Sequence, residues 1–470
     1  MQSPAKRRRK RDTGGGAFGK RYGRLLVLLL ALAMVAAACG DGDTTDTTTD
    51  GGDTDTTAAD GGTDTTADGG DDGETEDVEL LVWVTRPYYI PPDDFASFTE
   101  ETGIAVTYDV QSNDDIFQQW QLMADAGQPL PDVLGAEDAF LIEAYVEAGF
   151  IESHDEIAAT WQEEDPEQYD LLLPLAWDET TLDGTKYGLS VTANFDVLYY
   201  DPEWLAEAGV SVPFESLDAV LEGLRAMKES RPDAIPFTVQ AIAGEGVTTL
   251  KTVLAAAGAP FNGAVPDLTS EGGIYAINWF IQAANEELLP PEAIAWGEDE
   301  SRGAFVGRNA GMILDGFTTA GDFNEAPDFD YPDNWNLTPV PLSQSGGGAN
   351  GVALSAARTW AVVAGSEHPA EAALVLRYIA ETNNLIEAAG NGSVPMRQTE
   401  AIDSPDLLEI WPFFNDELKQ AYLGSAPTPA GPNAGEVEAI LEQMFGEIVV
   451  GTDKTAEQLA EEYQPQLDGS

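Results

Sequence analysis

The sequence predicts an α/β protein built as two lobes, and three observations carry that expectation. Short apolar runs of strand character alternate with amphipathic helical segments from Val78 onward, the order that gives sheets with parallel components. This pattern occupies about 390 residues, more than one hydrophobic core comfortably serves. No fixed-period repeat is visible.

The elements follow in order. Leu80-Leu81-Val82-Trp83-Val84 reads as a buried strand. A helix with Phe95, Phe98 and Thr102 on one side stops at Gly103, and Ile104–Tyr108 returns to strand. Phe140, Leu141, Ala144, Tyr145 and Ala148 mark a helix ending at Gly149. Val197–Tyr200 is a strand, Leu217, Val220, Leu221, Leu224 and Met227 follow helical spacing, and Phe237-Thr238-Val239 is a strand again. Toward the end, Ala372, Leu376, Ile379 and Ala380 mark one helix; Val437, Ile440, Leu441 and Met444 mark another.

Composition narrows the function. Lys and Arg total 22 against 83 Asp and Glu, a net charge of −61 over 470 residues. Nine of the basic residues fall within the first 24 positions, so the chain beyond them is more acidic still. Nucleic acid and anionic lipid surfaces are poor partners for such a chain, since both require clustered cations. Two readings of the acidity stay open: adaptation to a saline habitat, or simply a very soluble surface. One cysteine, Cys39, and two histidines, His154 and His368, leave no intrachain disulfide and almost no means of building a Cys/His zinc site. No metal and no cofactor is expected.

The N-terminus reads as an export signal. Lys6–Arg11 with Lys20, Arg21 and Arg24 forms a basic region, followed by the fourteen-residue apolar run Leu25–Ala38. That run is short for a spanning helix, which takes ~20 residues, and it ends in Ala36-Ala37-Ala38-Cys39. The site resembles a bacterial lipobox, in which the cysteine is diacylated and becomes the new N-terminus; Ala36 stands where lipoboxes usually place Leu. Residues 1–38 are thus expected to be a lipoprotein signal peptide. Residues 39–77, almost wholly Thr, Asp, Gly, Ala and Glu, cannot bury enough apolar surface to fold, and form an acidic tether reaching roughly 35 Å.

Catalytic signatures are missing. There is no G-x-S-x-G elbow, no phosphate-binding G-x-x-x-x-G-K-[ST] loop and no H-E-x-x-H helix. Gly346–Gly351 satisfies G-x-G-x-x-G through glycine density alone and reads as a loop. Among so many carboxylates, a nearby pair such as Glu137 and Asp138 says little about glycosidase chemistry. The chain is expected not to be an enzyme.

An ordered set of weak motifs then resembles the maltose-binding-protein-like solute-binding proteins of carbohydrate ABC importers (extracellular solute-binding protein family 1). The set runs from Phe95-x-x-Phe98-x-x-x-Thr102-Gly103-Ile104 through Pro131-Asp132-Val133 and Ala136-Glu137-Asp138-x-Phe140. It continues with Trp177-Asp178, Asp183-Gly184-x-Lys186-Tyr187-Gly188 and Leu198-Tyr199-Tyr200-Asp201. Phe305-x-Gly307-Arg308-x-Ala310-x-Met312 leads to Asp315-Gly316, followed by Pro339-x-Pro341, Gly390-x-Gly392-Ser393-x-Pro395 and Ile448-Val449-x-Gly451. The resemblance implies the type II periplasmic-binding-protein fold: two lobes, each a mixed sheet flanked by helices, joined by hinge crossings. One lobe would take 78–192 and 342–398, the other 197–340 and 403–470. It further implies a monomer that captures a sugar in the cleft between the lobes and delivers it to the permease subunits of an ABC transporter. The protein would be held on the outer face of the cytoplasmic membrane by the lipid on Cys39.

A sugar presents apolar C–H faces and many hydroxyls, so its cleft combines aromatic platforms with paired donors and acceptors. Candidates are Trp83, Arg86, Tyr88 and Tyr89 after the first strand, and Glu137 and Asp138 at the end of a second. Asn194 and Phe195 lie at the crossing and Gln240 follows a strand. Trp296, Asp315, Phe317, Asn350 and Arg397 lie in loops or at strand ends. Several have plain alternatives. Trp83 serves equally well as core, Glu137 as a solvated charge, and Arg86 and Arg397 as partners of neighbouring acids rather than clamps on an anionic ligand. Among other functions, binding of glycerol phosphate, a polyamine or a metal complex, a tethered glycoside hydrolase, and an adhesion module all stay in view.

Overall fold

The computed structural model describes residues 78–85, 90–91, 93–111, 116–244, 246–343, 354–390, 395, 398–431 and 433–470. Thirteen strands are present among them. They are β1 (Glu79–Val84), β2 (Ala105–Val110), β3 (Val133–Asp138), β4 (Thr181–Leu182), β5 (Thr185–Lys186), β6 (Leu189–Tyr200), β7 (Ile235–Thr238), β8 (Phe261–Asn262), β9 (Val265–Pro266), β10 (Ala310–Gly316), β11 (Asn336–Pro339), β12 (Leu354–Val362) and β13 (Ala426–Pro427). Two pairs, β4–β5 and β8–β9, are small separate hairpins.

The remaining nine strands form a mixed sheet in the order β2-β1-β3-β12-β6-β10-β7, with β11 on β6 and β13 on β12. Its organising element is β6. Twelve consecutive residues, LSVTANFDVLYY, are buried at every position but Asn194, as expected of a strand covered on both faces. Its first half pairs with β12, from Leu189 opposite Trp360 to Phe195 opposite Ser355. Its second half pairs with β10, from Asp196 opposite Gly316 to Tyr200 opposite Met312, and with β11 through Val197–Tyr200. The change of partner falls between Phe195 and Asp196. One strand therefore belongs to both halves of the sheet.

The cores separate where β6 changes partner. One gathers Leu198–Val340 side chains with Val437–Leu467 around Leu250, Phe280 and Phe445. Two others gather side chains from Leu80–Val191 and Trp360–Ala401, and an aromatic cluster of Phe195, Phe317, Trp335, Trp411 and Phe413 joins the middle of β6 to β10 and the segment 402–422. Helices flank the sheet in the two-lobed α/β arrangement.

Local signals explain most helix ends. Asp201 accepts from the backbone N–H groups of Glu203 and Trp204 ahead of the helix Pro202–Ala208, with Pro202 in the first turn, and Gly209 stops it at φ 70°. Ser216 caps Leu217–Ser230 by accepting from Ala219 N–H at 3.1 Å, and its apolar positions Leu217, Val220, Leu221, Leu224 and Met227 are all buried. The segment anticipated as one helix before Gly149 is a short 3₁₀ turn, Ala139–Leu141, followed by the helix Ile142–Glu147.

Candidate functional site

The seam where β6 changes partner opens into a cavity of ≈ 260 Å³. Asn194, Asp196 and Gly316 line it from the two paired strands, Gln240 from beyond β7, Lys251 from the helix Val247–Ala256, and Leu354 and Ala356 from β12. Three expected ligand contacts, Asn194, Gln240 and Asp315, thus meet at one place. A second cavity of ≈ 250 Å³ adjoins it, sharing Ala356 and Thr428, and reaches Glu143, Glu179 and Gly263. A larger space of ≈ 760 Å³ beside His154 and Arg377 touches Val362 and Val363. It lies at the opposite end of β12, about 25 Å away at ~3.3 Å per strand residue, so it belongs to a different face.

Asp315 is the electrostatic centre of the first cavity. Arg302, on the helix Glu298–Val306, donates from Nε to Oδ2 at 2.7 Å and from Nη2 to Oδ1 at 2.9 Å, the two-pronged geometry that guanidinium offers a carboxylate. Thr319 Oγ1 donates to Asp315 Oδ1 at 3.1 Å, and the Gly316 N–H donates to the same atom at 2.7 Å. Burial works against the Arg302 charge, but the carboxylate of Asp315 outweighs it and raises the guanidinium above its ordinary range. Glu298 Oε2 takes Arg302 Nη1 at 2.8 Å.

Asn194 is fixed by the turn after β10, its Oδ1 accepting from Thr318 N–H at 3.0 Å. This demands glycine at 316: a Cβ there would lie 2.0 Å from Asn194 Nδ2. The Tyr199 hydroxyl donates to the carbonyls of Gly316 and Phe317 at 2.9 and 3.0 Å, holding the same turn from beneath.

Asp196 behaves differently. It is 7% exposed, and its carboxylate accepts from Thr252 Oγ1. Desolvation pushes its carboxyl up to about 7, opposed by the Thr252 hydrogen bond, with the charge of Asp315 adding to the rise and Lys251 opposing it. Lys251 itself is only 6% exposed and is committed to Glu438, Nζ to Oε1 at 2.8 Å.

Other expected site residues sit elsewhere. Trp83 is a core residue, 4% exposed and edge-on to Trp120 at 5.9 Å between ring centroids. Phe195 and Phe317 are each 1% exposed and stack on one another at 5.0 Å, because the inward face of the β6–β10 pair needs apolar filling. Glu137 is fully buried rather than solvated; Tyr145 Oη donates to it at 3.2 Å and Asp138 N–H at 2.8 Å. Asp138 is ion-paired with Arg358 across the β3–β12 ladder. Neither acid lines the two cavities, although Ala139, the next residue, does. Trp296 packs against the core of the second half, and its carbonyl accepts from Ala241 and Ile242 N–H at 3.1 Å. Cys39, Arg86, Tyr88, Tyr89, Asn350 and Arg397 lie outside the described residues.

Asp196, Lys251, Arg302 and Thr428 escaped the sequence reading. A signal was present for Lys251 alone, the one charged residue in the helix VTTLKTVLAA.

Comparison with known proteins agrees with this architecture. No curated protein sequence matches the chain. Among solved structures, the sugar-binding protein MalE from Xanthomonas citri superposes with a TM-score of 0.70 at 15% identity, covering 83% of this chain and 98% of that one. The cyclic alpha-maltosyl-1,6-maltose binding protein from Arthrobacter globiformis gives 0.68 at 16%, covering 83% and 98%. The GacH receptor of Streptomyces glaucescens gives 0.65 at 16%, again covering 83% and 98%. These likenesses establish the fold. A family profile described as bacterial extracellular solute-binding protein matches residues 84–384. That match spans more than half of the sequence, and the chain belongs to the bacterial extracellular solute-binding protein family.

Proposed function

We propose that this protein is the substrate-binding component of an ABC importer, capturing a carbohydrate of one or a few rings in the cavities beside β6 and β12. The observation that carries the reading is the meeting of Asn194, Gln240 and Asp315 with Leu354 and Ala356 around one space at the seam of the sheet. Polar groups that pair with hydroxyls stand beside the apolar side chains of Leu354 and Ala356, which suits the two characters of a sugar ring. Two adjoining spaces near 250 Å³ suit a short oligosaccharide better than one ring alone. The solved relatives with the same fold are named for maltose-type sugars and related saccharides, which supports the class.

The lobes would divide as 78–192 with 342–398 and 197–340 with 403–470, in keeping with the change of partner on β6. Ligand would favour the closed arrangement by making contacts only there, and the closed form would dock on the permease. Export, cleavage before Cys39 and lipid attachment would hold the protein at the outer face of the membrane. An anionic ligand such as glycerol phosphate is a poor fit among the described residues, because Lys251 and Arg302 are already held by Glu438, Asp315 and Glu298.

Isothermal titration with a panel of neutral mono- and oligosaccharides tests this. Saturable heat with at least one of them is expected; a panel that gives none contradicts it. Exchange of Cys39 for Ser is expected to release the protein from the membrane fraction, and retention there would refute the anchor.

A further inference from the structure

The cleft holds a charge that its own fold does not answer. Four carboxylates line the first cavity, Asp196, Asp315, Glu298 and Glu438, against two cations, Lys251 and Arg302. Arg302 is taken by Asp315 and Glu298, and Lys251 by Glu438. Asp196 has no cation within ion-pair distance among the described residues; its side chain is held by the Thr252 hydroxyl alone. A buried carboxylate without a counter-ion is costly to keep ionised. Beside it, Gln240 is 7% exposed, lines the same cavity and makes no side-chain hydrogen bond among the described residues. Its amide therefore faces the cavity with its donors and acceptor uncommitted to protein groups, available to a ligand that enters.

Resting on the carbohydrate reading above, we infer that Asp196 and Gln240 form an ammonium-recognition site, and that the preferred solute is an amino sugar or similarly aminated saccharide. The ammonium group would donate to Asp196 and to the Gln240 side-chain oxygen, supplying the charge and the hydrogen bonds both lack. The groups facing Asp196 fix how this depends on pH. Thr252 and Lys251 face it from the helix Val247–Ala256 and Asp315 from β10; Glu438 neutralises Lys251 and Arg302 neutralises Asp315. With its pKa raised to about 7, Asp196 is partly protonated in the empty cleft at neutral pH and would ionise as an ammonium group enters.

Titration calorimetry of glucosamine and galactosamine against their N-acetyl counterparts, and against glucuronic acid, tests the inference. At about pH 7, where the amines are mostly ammonium, they are expected to bind about tenfold or more tighter than the N-acetyl forms, with glucuronic acid weakest. In Asp196→Asn the ratio of amine to N-acetyl affinity should fall close to one. A second readout needs no variant: in buffers of different ionisation enthalpy near neutral pH, amine binding should release a fraction of a proton and N-acetyl binding none. Equal affinities with no proton release overturn the ammonium site while leaving carbohydrate capture standing; absence of binding by saccharides of every charge overturns both.

Discussion

Arg302 holds Asp315 through two parallel N–H···O bonds, and with them fixes the turn that carries Gly316 and positions Asn194. Removing the guanidinium leaves Asp315 buried beside Asp196 with no cation. Arg302→Ala is therefore expected to lose about 3 kcal/mol of stability in urea unfolding, within the range for breaking a buried pair. Arg302→Lys should recover less than half of it, since an ammonium cannot reproduce the fork.

Gly316 makes a sharper test of the site than of the fold. In Gly316→Ala the added methyl would collide with the Asn194 amide, a flexible side chain that can swing away. Stability should fall by only about 1 kcal/mol, while saccharide affinity falls about tenfold as Asn194 leaves Thr318. Calorimetry beside thermal unfolding separates the two; equal losses in both would contradict the assignment.

Much of this architecture was legible beforehand, and the reasons differ by element. The helix Leu217–Ser230 announced itself through its apolar spacing, because that signal is local. The unity of Leu189–Tyr200 as one strand serving two halves was not, since only its last four residues stood out as apolar and the pairing that defines it comes from β10, β11 and β12 far along the chain. For the site, the crossing at Asn194, the strand before Gln240 and the resemblance at Asp315 nominated three residues that the fold brings around one cavity. Aromatic residues misled at Phe195 and Phe317, because a ring suited to a sugar is equally suited to a core. Asp196 went unseen because burial of a lone carboxylate is a tertiary fact.

Two buried titratable groups give stability opposite pH dependences. His154 accepts the Val362 N–H at Nε2 and donates from Nδ1 to the Glu152 carbonyl, and burial lowers its pKa from 6.5 to about 4. Its contribution is present above pH 6.5 and is lost as pH falls toward about 4, where the unfolded chain alone takes up the proton. Asp196, raised from 3.8 to about 7, contributes fully below pH 3.8 and loses that contribution as pH rises through about 7. Asp196→Asn should thus be more stable than the parent at about pH 8, by on the order of a few kcal/mol, with the gap closing toward about pH 4. Denaturant unfolding across that range measures it; a gap independent of pH would refute the assignment.

The net charge of −61 implies repulsion spread over the whole surface. Thermal midpoints are expected to rise with sodium chloride up to about 1 M as that repulsion is screened, by roughly 5 °C or more. A flat or falling midpoint would show that the acids are balanced locally.

Small-angle X-ray scattering of the protein, empty and then saturated with the tightest saccharide found by titration, tests the central claim most directly. Hinged capture at the β6 seam predicts a smaller radius of gyration in the saturated sample, and in Gly316→Ala the same change reached only at about tenfold higher ligand concentration. Identical scattering curves for the empty and the saturated wild-type protein would contradict it.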